Sequence, residues 1–182
     1  MTKLSSTVDI AKLTEFIKNQ QKIEISDFVY ERFNERYLYP INQLKPEYKH
    51  GFSIMAISCI MIEAFQSFKS GYEDTVGISR ETFSKFLSSE PEFSNLKGLE
   101  DDFYFNVRCG ILHQSETTNG WKIIRVGKIF DKKNKTINAT KFIKALEISL
   151  QKYTLELKDD NWNSENWKNL RKKLNHIIKN CK

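Results

Sequence analysis

Glycine and proline are scarce in this chain. Seven glycines and three prolines occur in 182 residues, which disfavours both a turn-dense all-β fold and a disordered chain. Thirteen phenylalanines and a hydrophobic fraction of 40% supply enough apolar surface for a core, and the length fits one domain of roughly 100–200 residues. We therefore predict a single, mainly helical domain over residues 1–182.

The chain also lacks long apolar runs and a cysteine framework. Its longest apolar stretch, residues 51–62, is shorter than the ~20 residues that a membrane helix needs. Residues 1–10 have neither the basic leader nor the apolar core of a signal peptide, and the three scattered cysteines are typical of reduced thiols. We expect no transmembrane segment and a cytoplasmic location.

Apolar residues recur three and four positions apart, which predicts a bundle of six or seven amphipathic helices. The predicted helices cover residues 7–20, 26–39, 51–70, a shorter stretch from 79 to before Pro91, 99–114, and two C-terminal stretches through 142–157 and 167–177. The stretch 51–70 is apolar on nearly every side and is expected to be the buried central helix.

Local signals refine this prediction. Ser26 is expected to cap the second helix and Pro40 to end it, and Thr140 is expected to cap the sixth. Between Gly120 and Asn138 the helical spacing gives way to an imperfect alternation with turn residues, which predicts a small β-hairpin or meander.

Several common functional motifs are absent. The sequence has no GxxxxGK, GxGxxG, HExxH or CxxC pattern, and these patterns bind phosphates, dinucleotides or metals. His50, His113 and His176 lie on separate segments, without the close spacing usual for zinc ligands. We predict no metal and no other cofactor.

The segment 107–114, VRCGILHQ, combines an arginine and a histidine near the end of a predicted helix. Histidine changes charge near physiological pH and can move a proton, and a guanidinium can hold the charge that grows on a phosphate during RNA cleavage. Because five positions turn a regular helix by about 140°, Arg108 and His113 converge only through the reach of the arginine or a distorted turn near Gly110.

The sequence VRCGILH, late on a helix of a helical chain, resembles the Arg-x(4–6)-His motif of HEPN domains. This resemblance implies a helical bundle with metal-independent endoribonuclease activity that leaves 2′,3′-cyclic phosphate ends, in a toxin–antitoxin or phage-defence context. It also implies a homodimer with a composite active site, and an antitoxin or other partner protein. In such a site Arg108 would bind the scissile phosphate and His113 would act as the general acid or base.

The resemblance is specific over about eight residues, and the same spacing recurs at Arg171 and His176 without the apolar surroundings. Cys109 stands where the family usually has a polar residue, often Asn, Asp or His. The alternative function is a catalytically inactive HEPN-like module that binds RNA or a partner protein. The alternative role for His113 is to end the helix, where a cation is favoured by ~0.3–1 kcal/mol.

Glu63 is the only formally charged residue between His50 and Lys69, on the most apolar predicted helix. A buried carboxylate needs a partner, so we expect Glu63 to pair with Arg108 or to orient His113. The alternative is a carboxylate at the exposed edge of that helix.

Other residues near the motif are candidates to contact substrate. They are Tyr104, Asn106, Cys109 and Glu116. Glu116 is also a possible orienter of His113, although it is predicted to lie on a loop. Packing in the core explains Tyr104 equally well.

Positive charge is concentrated at the C-terminus. Residues 166–182 contain six cations and no acid, and the remaining residues are balanced. Because such a region attracts polyanions, Arg171, Lys172 and Lys173 are predicted to bind RNA. Trp162 and Trp167 would either stack on bases or anchor the last helix. The alternatives are a solvated helix face and docking on an anionic membrane surface.

Overall fold

The computed structural model describes residues 2–45 and 47–181, and it has the predicted architecture of a helical bundle with a small sheet. The α-helices are α1 (Ile10–Lys18), α2 (Lys22–Phe33), α3 (Tyr39–Asn42), α4 (Gly51–Ser70), α5 (Ser79–Ser89), α6 (Glu100–Phe103), α7 (Gly110–Gln114), α8 (Ala139–Asp159) and α9 (Glu165–Asn180). The segments Asn34–Leu38 and Tyr104–Cys109 are π-helical, and Pro91–Leu96 is a 3₁₀-helix.

The central helix α4 has the predicted bounds and packs against α5, α8 and α9. Its phenylalanines form the middle of the core, where Phe65 lies edge-on to Tyr153 and 5.6 Å from Phe86. By length and composition α4 is apolar enough to cross a membrane, but most of it is buried inside the bundle. The described residues therefore include no clear transmembrane segment.

The second helix is longer than predicted. Ser26 is not its cap: it lies buried inside α2, and its hydroxyl donates to the main-chain oxygen of Lys22 at 2.7 Å. Pro40 does not end it either, because a π-helical turn leads directly into α3 and Pro40 lies in the first turn of that helix. Proline has no main-chain N–H, and here it lies two residues after the π-helical segment, where the regular hydrogen-bond pattern of the helix is already interrupted.

The sheet is small and lies within the predicted segment between Gly120 and Asn138. Strands β1 (Lys122–Ile124), β2 (Phe130–Asp131) and β3 (Thr136–Asn138) are arranged in the order β1-β3-β2. β3 pairs parallel with β1 and antiparallel with β2. β2 and β3 thus form the predicted hairpin, whereas the parallel pairing of β1 was not predicted because alternation reveals strands but not their partners.

The capping residue of α8 is Asn138, not Thr140. The Asn138 side chain accepts the main-chain N–H of Lys141 at 3.1 Å, which satisfies one of the first N–H groups of the helix. Thr140 lies one residue inside the helix, and its hydroxyl accepts from Arg125. The last strand therefore leads directly into α8.

Candidate functional site

The predicted helix over residues 99–114 is present as one continuous helical segment. It consists of α6, the π-helical segment Tyr104–Cys109 and α7, and we call it the motif helix. Its π-helical part ends at Gly110, where the distorted turn was expected. Such π-helical turns are rare and occur frequently at functional sites.

Arg108 extends from the motif helix to α4 and meets Glu63 there. Its Nη2 donates to Glu63 Oε2 at 2.8 Å, and about 15% of either side chain is exposed. The hydroxyl of Ser79 donates to the other oxygen of Glu63. The ion pair between Glu63 and Arg108 is thus one of the two arrangements that the sequence predicted for this carboxylate.

The surroundings keep the Arg108 guanidinium charged. Burial alone lowers the pKa of Arg108, but the hydrogen bond and the charge of Glu63 outweigh burial and raise that pKa above its usual value. The guanidinium carbon also lies 5.3 Å from the centroid of the Tyr104 ring. The Nε atom is buried without a hydrogen-bond partner among the described residues.

Tyr104 and Cys109 surround the guanidinium. Burial raises the pKa of Tyr104, although the charge of Arg108 opposes this rise. The sulfur of Cys109 lies 4.0 Å from Arg108 Nη1. Both side chains are half-buried. Their nearest charged group is therefore the ion pair, and contact with substrate remains a prediction for both.

His113 lies in the last turn of α7 and is exposed. Within residues 2–45 and 47–181 its side chain has no hydrogen bond or ion pair, and none joins it to Arg108. The helix ends at Ser115, which adopts a left-handed conformation with a φ of 57°. The imidazole is therefore accessible to a ligand or to a second protein surface.

Asn106 is engaged inside the chain. Its side-chain amide donates to the main-chain and side-chain oxygens of Asp102, and its side-chain oxygen accepts from the Thr118 hydroxyl at 2.8 Å. Trp121 Nε1 donates to the same Asp102 carboxylate. The predicted substrate contact thus has a structural role, which is to hold the loop after the motif against the motif helix.

Gly110 lets the same loop pass close to the helix. A Cβ atom at this position would lie only 2.4 Å from the main-chain oxygen of Glu116. The Glu116 carboxylate accepts from the main-chain N–H of Thr117 at 2.9 Å and has no contact with His113 among the residues that the structure describes. A role for Glu116 in orienting His113 remains a prediction.

The C-terminal cations lie in different environments. Arg171 donates to the main-chain oxygen of Trp162 and stacks on its ring at 4.5 Å. Lys173 is half-buried, whereas Lys172 is exposed. Trp167 is buried and donates to the main-chain oxygen of Leu157 at 3.0 Å, so it anchors the last helix.

Two residues that hold the site together were missed by the sequence analysis. They are Ser79 and Asp102, and neither was predicted to take part in the site. Ser79 joins α5 to Glu63 on α4, and Asp102 joins the motif helix to the following loop through Trp121. Spacing within one helix carries no signal for such contacts.

No protein-family model, no curated protein and no solved structure matches the chain. The resemblance to HEPN domains therefore rests on the motif and on the helical architecture. Among the described residues, no group of three or more His, Cys, Asp or Glu side chains could hold a metal ion.

Proposed function

We propose that this protein is a metal-independent endoribonuclease of the HEPN type that works as a homodimer, in a toxin–antitoxin or phage-defence context. The observation that carries this proposal is the contrast along the motif helix. Arg108 is fixed by Glu63 at 2.8 Å, while His113 is exposed and unpartnered within the described residues. A fixed cation and a free imidazole are the two groups that metal-independent phosphodiester cleavage needs.

The proposed chemistry needs only these two groups and the RNA. The 2′-oxygen attacks the adjacent phosphorus, the bond from phosphorus to the 5′-oxygen breaks, and a 2′,3′-cyclic phosphate forms. His113 of one subunit accepts the proton of the 2′-hydroxyl, and the departing 5′-oxygen takes a proton from the protonated His113 of the other. Arg108 stabilises the charge on the phosphate oxygens.

Apolar residues around the motif support a second copy as the partner. Phe105 and Leu112 on the motif helix are 51% and 39% exposed, and Ile60 on the adjacent α4 is 41% exposed. Phe105 and Leu112 lie seven positions apart, which is about two helical turns, and exposed apolar patches mark protein interfaces. A partner on this face would bring a second His113 towards the first.

An RNase assay of His113→Ala, with His176→Ala as the matched control, tests the proposal. We expect His113→Ala to lose at least about a hundred-fold of cleavage, because general acid–base catalysis contributes 10²–10⁴-fold. His176→Ala should cleave like the wild type, and EDTA should have no effect on either. Undiminished cleavage by His113→Ala would rule the assignment out.

Leu112→Glu tests the dimer, and Leu155→Glu on α8 is its control because Leu155 is 60% exposed. Sedimentation should show a monomer for Leu112→Glu and a dimer for Leu155→Glu. Cleavage should fall with the dimer, since the composite site needs both subunits. A Leu112→Glu protein that is monomeric and fully active contradicts the composite site.

A second candidate function is a catalytically inactive module that binds RNA or a partner protein. It is favoured by the Glu63 carboxylate, which already neutralises Arg108, and by Cys109 in place of the family's polar residue. This candidate predicts tight binding of RNA without any 2′,3′-cyclic phosphate product. Detection of that product, lost in His113→Ala, decides for the nuclease.

A further inference from the structure

A second cationic site lies away from the motif helix, in a cleft between the end of α2, α4 and α9. The cleft has a volume of about 190 Å³. Three cations and three aromatic rings line it: Arg32, Arg36, Lys173, Phe33, Tyr37 and Phe68. No carboxylate lines this cleft in the part of the chain that the structure describes. The lining therefore combines concentrated positive charge with aromatic surface.

The three cations are held only by main-chain oxygens. Arg32 Nη1 and Arg36 Nη2 both donate to the main-chain oxygen of Leu4, at 2.8 and 3.2 Å. Lys173 Nζ donates to the main-chain oxygen of Glu73 at 2.8 Å. None of the three forms an ion pair within residues 2–45 and 47–181. An arginine has five N–H donors, so donors remain for a ligand.

The charges in the cleft are unfavourable to one another. Burial, reinforced by the charge of Arg36, lowers the pKa of Arg32 to about 10. Burial also lowers the pKa of Lys173; the charge of Arg32 adds to this decrease, and Asp74 and Glu73 oppose it. Desolvated cations that repel one another are stabilised by a bound anion.

The aromatic rings give the cleft an apolar wall. Phe33 and Phe68 are buried with their ring centroids 5.1 Å apart, so they form its floor. Tyr37 is half-buried, 5.8 Å from Phe33, and is the ring of the three that reaches the surface. A nucleobase can stack on such a ring in addition to the contacts of its phosphate.

We propose that this cleft binds a nucleotide, with the phosphate held by Arg32, Arg36 and Lys173 and the base stacked on Tyr37. Its volume is below the roughly 300–1,000 Å³ that encloses a small-molecule ligand, so it takes one phosphate and leaves the sugar at the rim. The nucleotide is either free or one unit of an RNA strand. The site contains neither Arg108 nor His113, so its function does not depend on cleavage.

The cleft also lies close to the motif along α4. Ala64 lines the cleft, and its neighbour Glu63 pairs with Arg108. Adjacent positions on a helix point about 100° apart. The two sites therefore occupy adjoining faces of one helix, where a single RNA strand can reach both.

Binding measurements on the full chain test this site. The probes are inorganic phosphate, AMP and a ten-nucleotide oligoadenylate, all with His113→Ala so that the RNA is not cut. We compare Lys173→Gln and Arg36→Gln with the control Lys97→Gln, which removes an exposed lysine outside both the cleft and the C-terminal cations. A hydrogen bond to a charged group contributes about 1.5–3 kcal/mol, so either cleft variant should bind AMP and oligoadenylate about ten-fold more weakly, and the control should bind normally.

The aromatic contact has its own pair of variants. Tyr37→Ala should weaken AMP and oligoadenylate binding about ten-fold but leave phosphate binding unchanged, and Tyr37→Phe should restore stacking. Tyr39→Ala, which removes an exposed ring two residues away, should have no effect. A loss of AMP binding without a loss of phosphate binding separates a contact with the base from general charge attraction.

The two sources of the nucleotide are distinguished by the probes. Binding of AMP as tight as that of oligoadenylate supports a free nucleotide, and binding of oligoadenylate alone supports an RNA strand. The proposal is overturned if Lys97→Gln weakens binding as much as Lys173→Gln, or if neither AMP nor oligoadenylate binds. If the wild type does not cleave RNA but Lys173→Gln weakens binding, only the nuclease proposal fails. If the wild type cleaves RNA but Lys173→Gln binds normally, only the cleft proposal fails.

Discussion

The two Arg-x4-His segments of this chain have the same spacing but different surroundings. In the first, Arg108 is paired with the carboxylate of Glu63, and His113 is exposed without a partner among the described residues. The backbone leading to the pair is π-helical. One group of this segment is fixed and the other is free.

In the second segment both groups are occupied. Arg171 donates to a main-chain oxygen and stacks on Trp162. His176 lies 2.7 Å from the side-chain nitrogen of Asn180 and 3.5 Å from the carboxylate of Glu73. The backbone is a regular part of α9. The spacing alone therefore does not identify a site. The two segments differ in whether the histidine side chain already has a partner.

Arg108→Ala should have the largest effect on stability. It leaves the Glu63 carboxylate, 14% exposed, with only the Ser79 hydroxyl as a partner. Removing one partner of a buried ion pair costs several kcal/mol, and we expect a loss of about 3 kcal/mol in the free energy of unfolding. Arg171→Ala removes a hydrogen bond and a cation–π contact and should cost about 1 kcal/mol. Urea unfolding measures both, and equal losses would contradict the comparison.

The control for this prediction removes both charges of the first pair. Glu63→Gln combined with Arg108→Met leaves no unpaired charge in the interface between α4 and the motif helix. The double variant should therefore lose less stability than the sum of the two single variants. If the double variant loses as much stability as the two single variants together, Glu63 and Arg108 do not stabilise each other.

Gly110→Ala should have the next largest effect. The new Cβ would lie 2.4 Å from the main-chain oxygen of Glu116, and a main-chain atom cannot move aside without shifting its loop. Overpacking costs about 1–3 kcal/mol, so we expect a loss of about 2 kcal/mol in thermal unfolding. In the second segment the corresponding position is Lys173, which already carries a Cβ. Only the first segment depends on a glycine.

Gly51→Ala is the matched control. Its Cβ would meet the Cγ2 methyl of Ile123 at 3.2 Å, and this side chain needs to move by only a few tenths of an ångström. The gain in helix propensity of about 1 kcal/mol should offset this contact. A large loss for Gly51→Ala, or none for Gly110→Ala, would show that the close approach of the loop is not limiting.

The helices could be predicted from the sequence where burial alone determines them. α4 has the predicted bounds because its apolar residues fill every side, and the motif helix has its predicted extent. The continuation past Pro40 was not predictable, because a proline in a first turn and a proline after a helix look alike in sequence. Strand pairing in the sheet depends on contacts between segments, which alternation does not encode.

The candidate site was predictable in part, because burial makes a lone charge conspicuous in the sequence. Glu63 is conspicuous as a lone charge on an apolar helix, and its need for a partner indicated Arg108. The sequence has no comparable signal for Ser79, whose hydroxyl donates to the second oxygen of the Glu63 carboxylate. Asn106 was predicted to contact substrate, because nothing in the sequence reveals that the loop after the motif returns to this side chain.

Cys109→Asn sharpens the comparison at the residue after the first arginine. An amide there can hydrogen-bond to substrate, whereas the thiol is a weak donor. We expect cleavage to be kept or to rise by up to about five-fold, the equivalent of one ordinary hydrogen bond of about 1 kcal/mol. Cys181→Asn, at the end of α9, should leave the rate unchanged. Loss of cleavage in Cys109→Asn would show that the amide does not fit beside the guanidinium.

The smallest effect concerns the stability of the two histidine variants. His113→Ala removes an exposed side chain that has no partner among the described residues, so the free energy of unfolding should change by less than about 0.5 kcal/mol. His176→Ala removes the contacts to Asn180 and Glu73 and should cost up to about 1 kcal/mol. The more stable variant is thus expected to be the inactive one. That combination separates catalysis from folding, because lost cleavage in a fully stable protein cannot be attributed to unfolding. A His113→Ala protein that is less stable than His176→Ala would mean that the imidazole supports the fold.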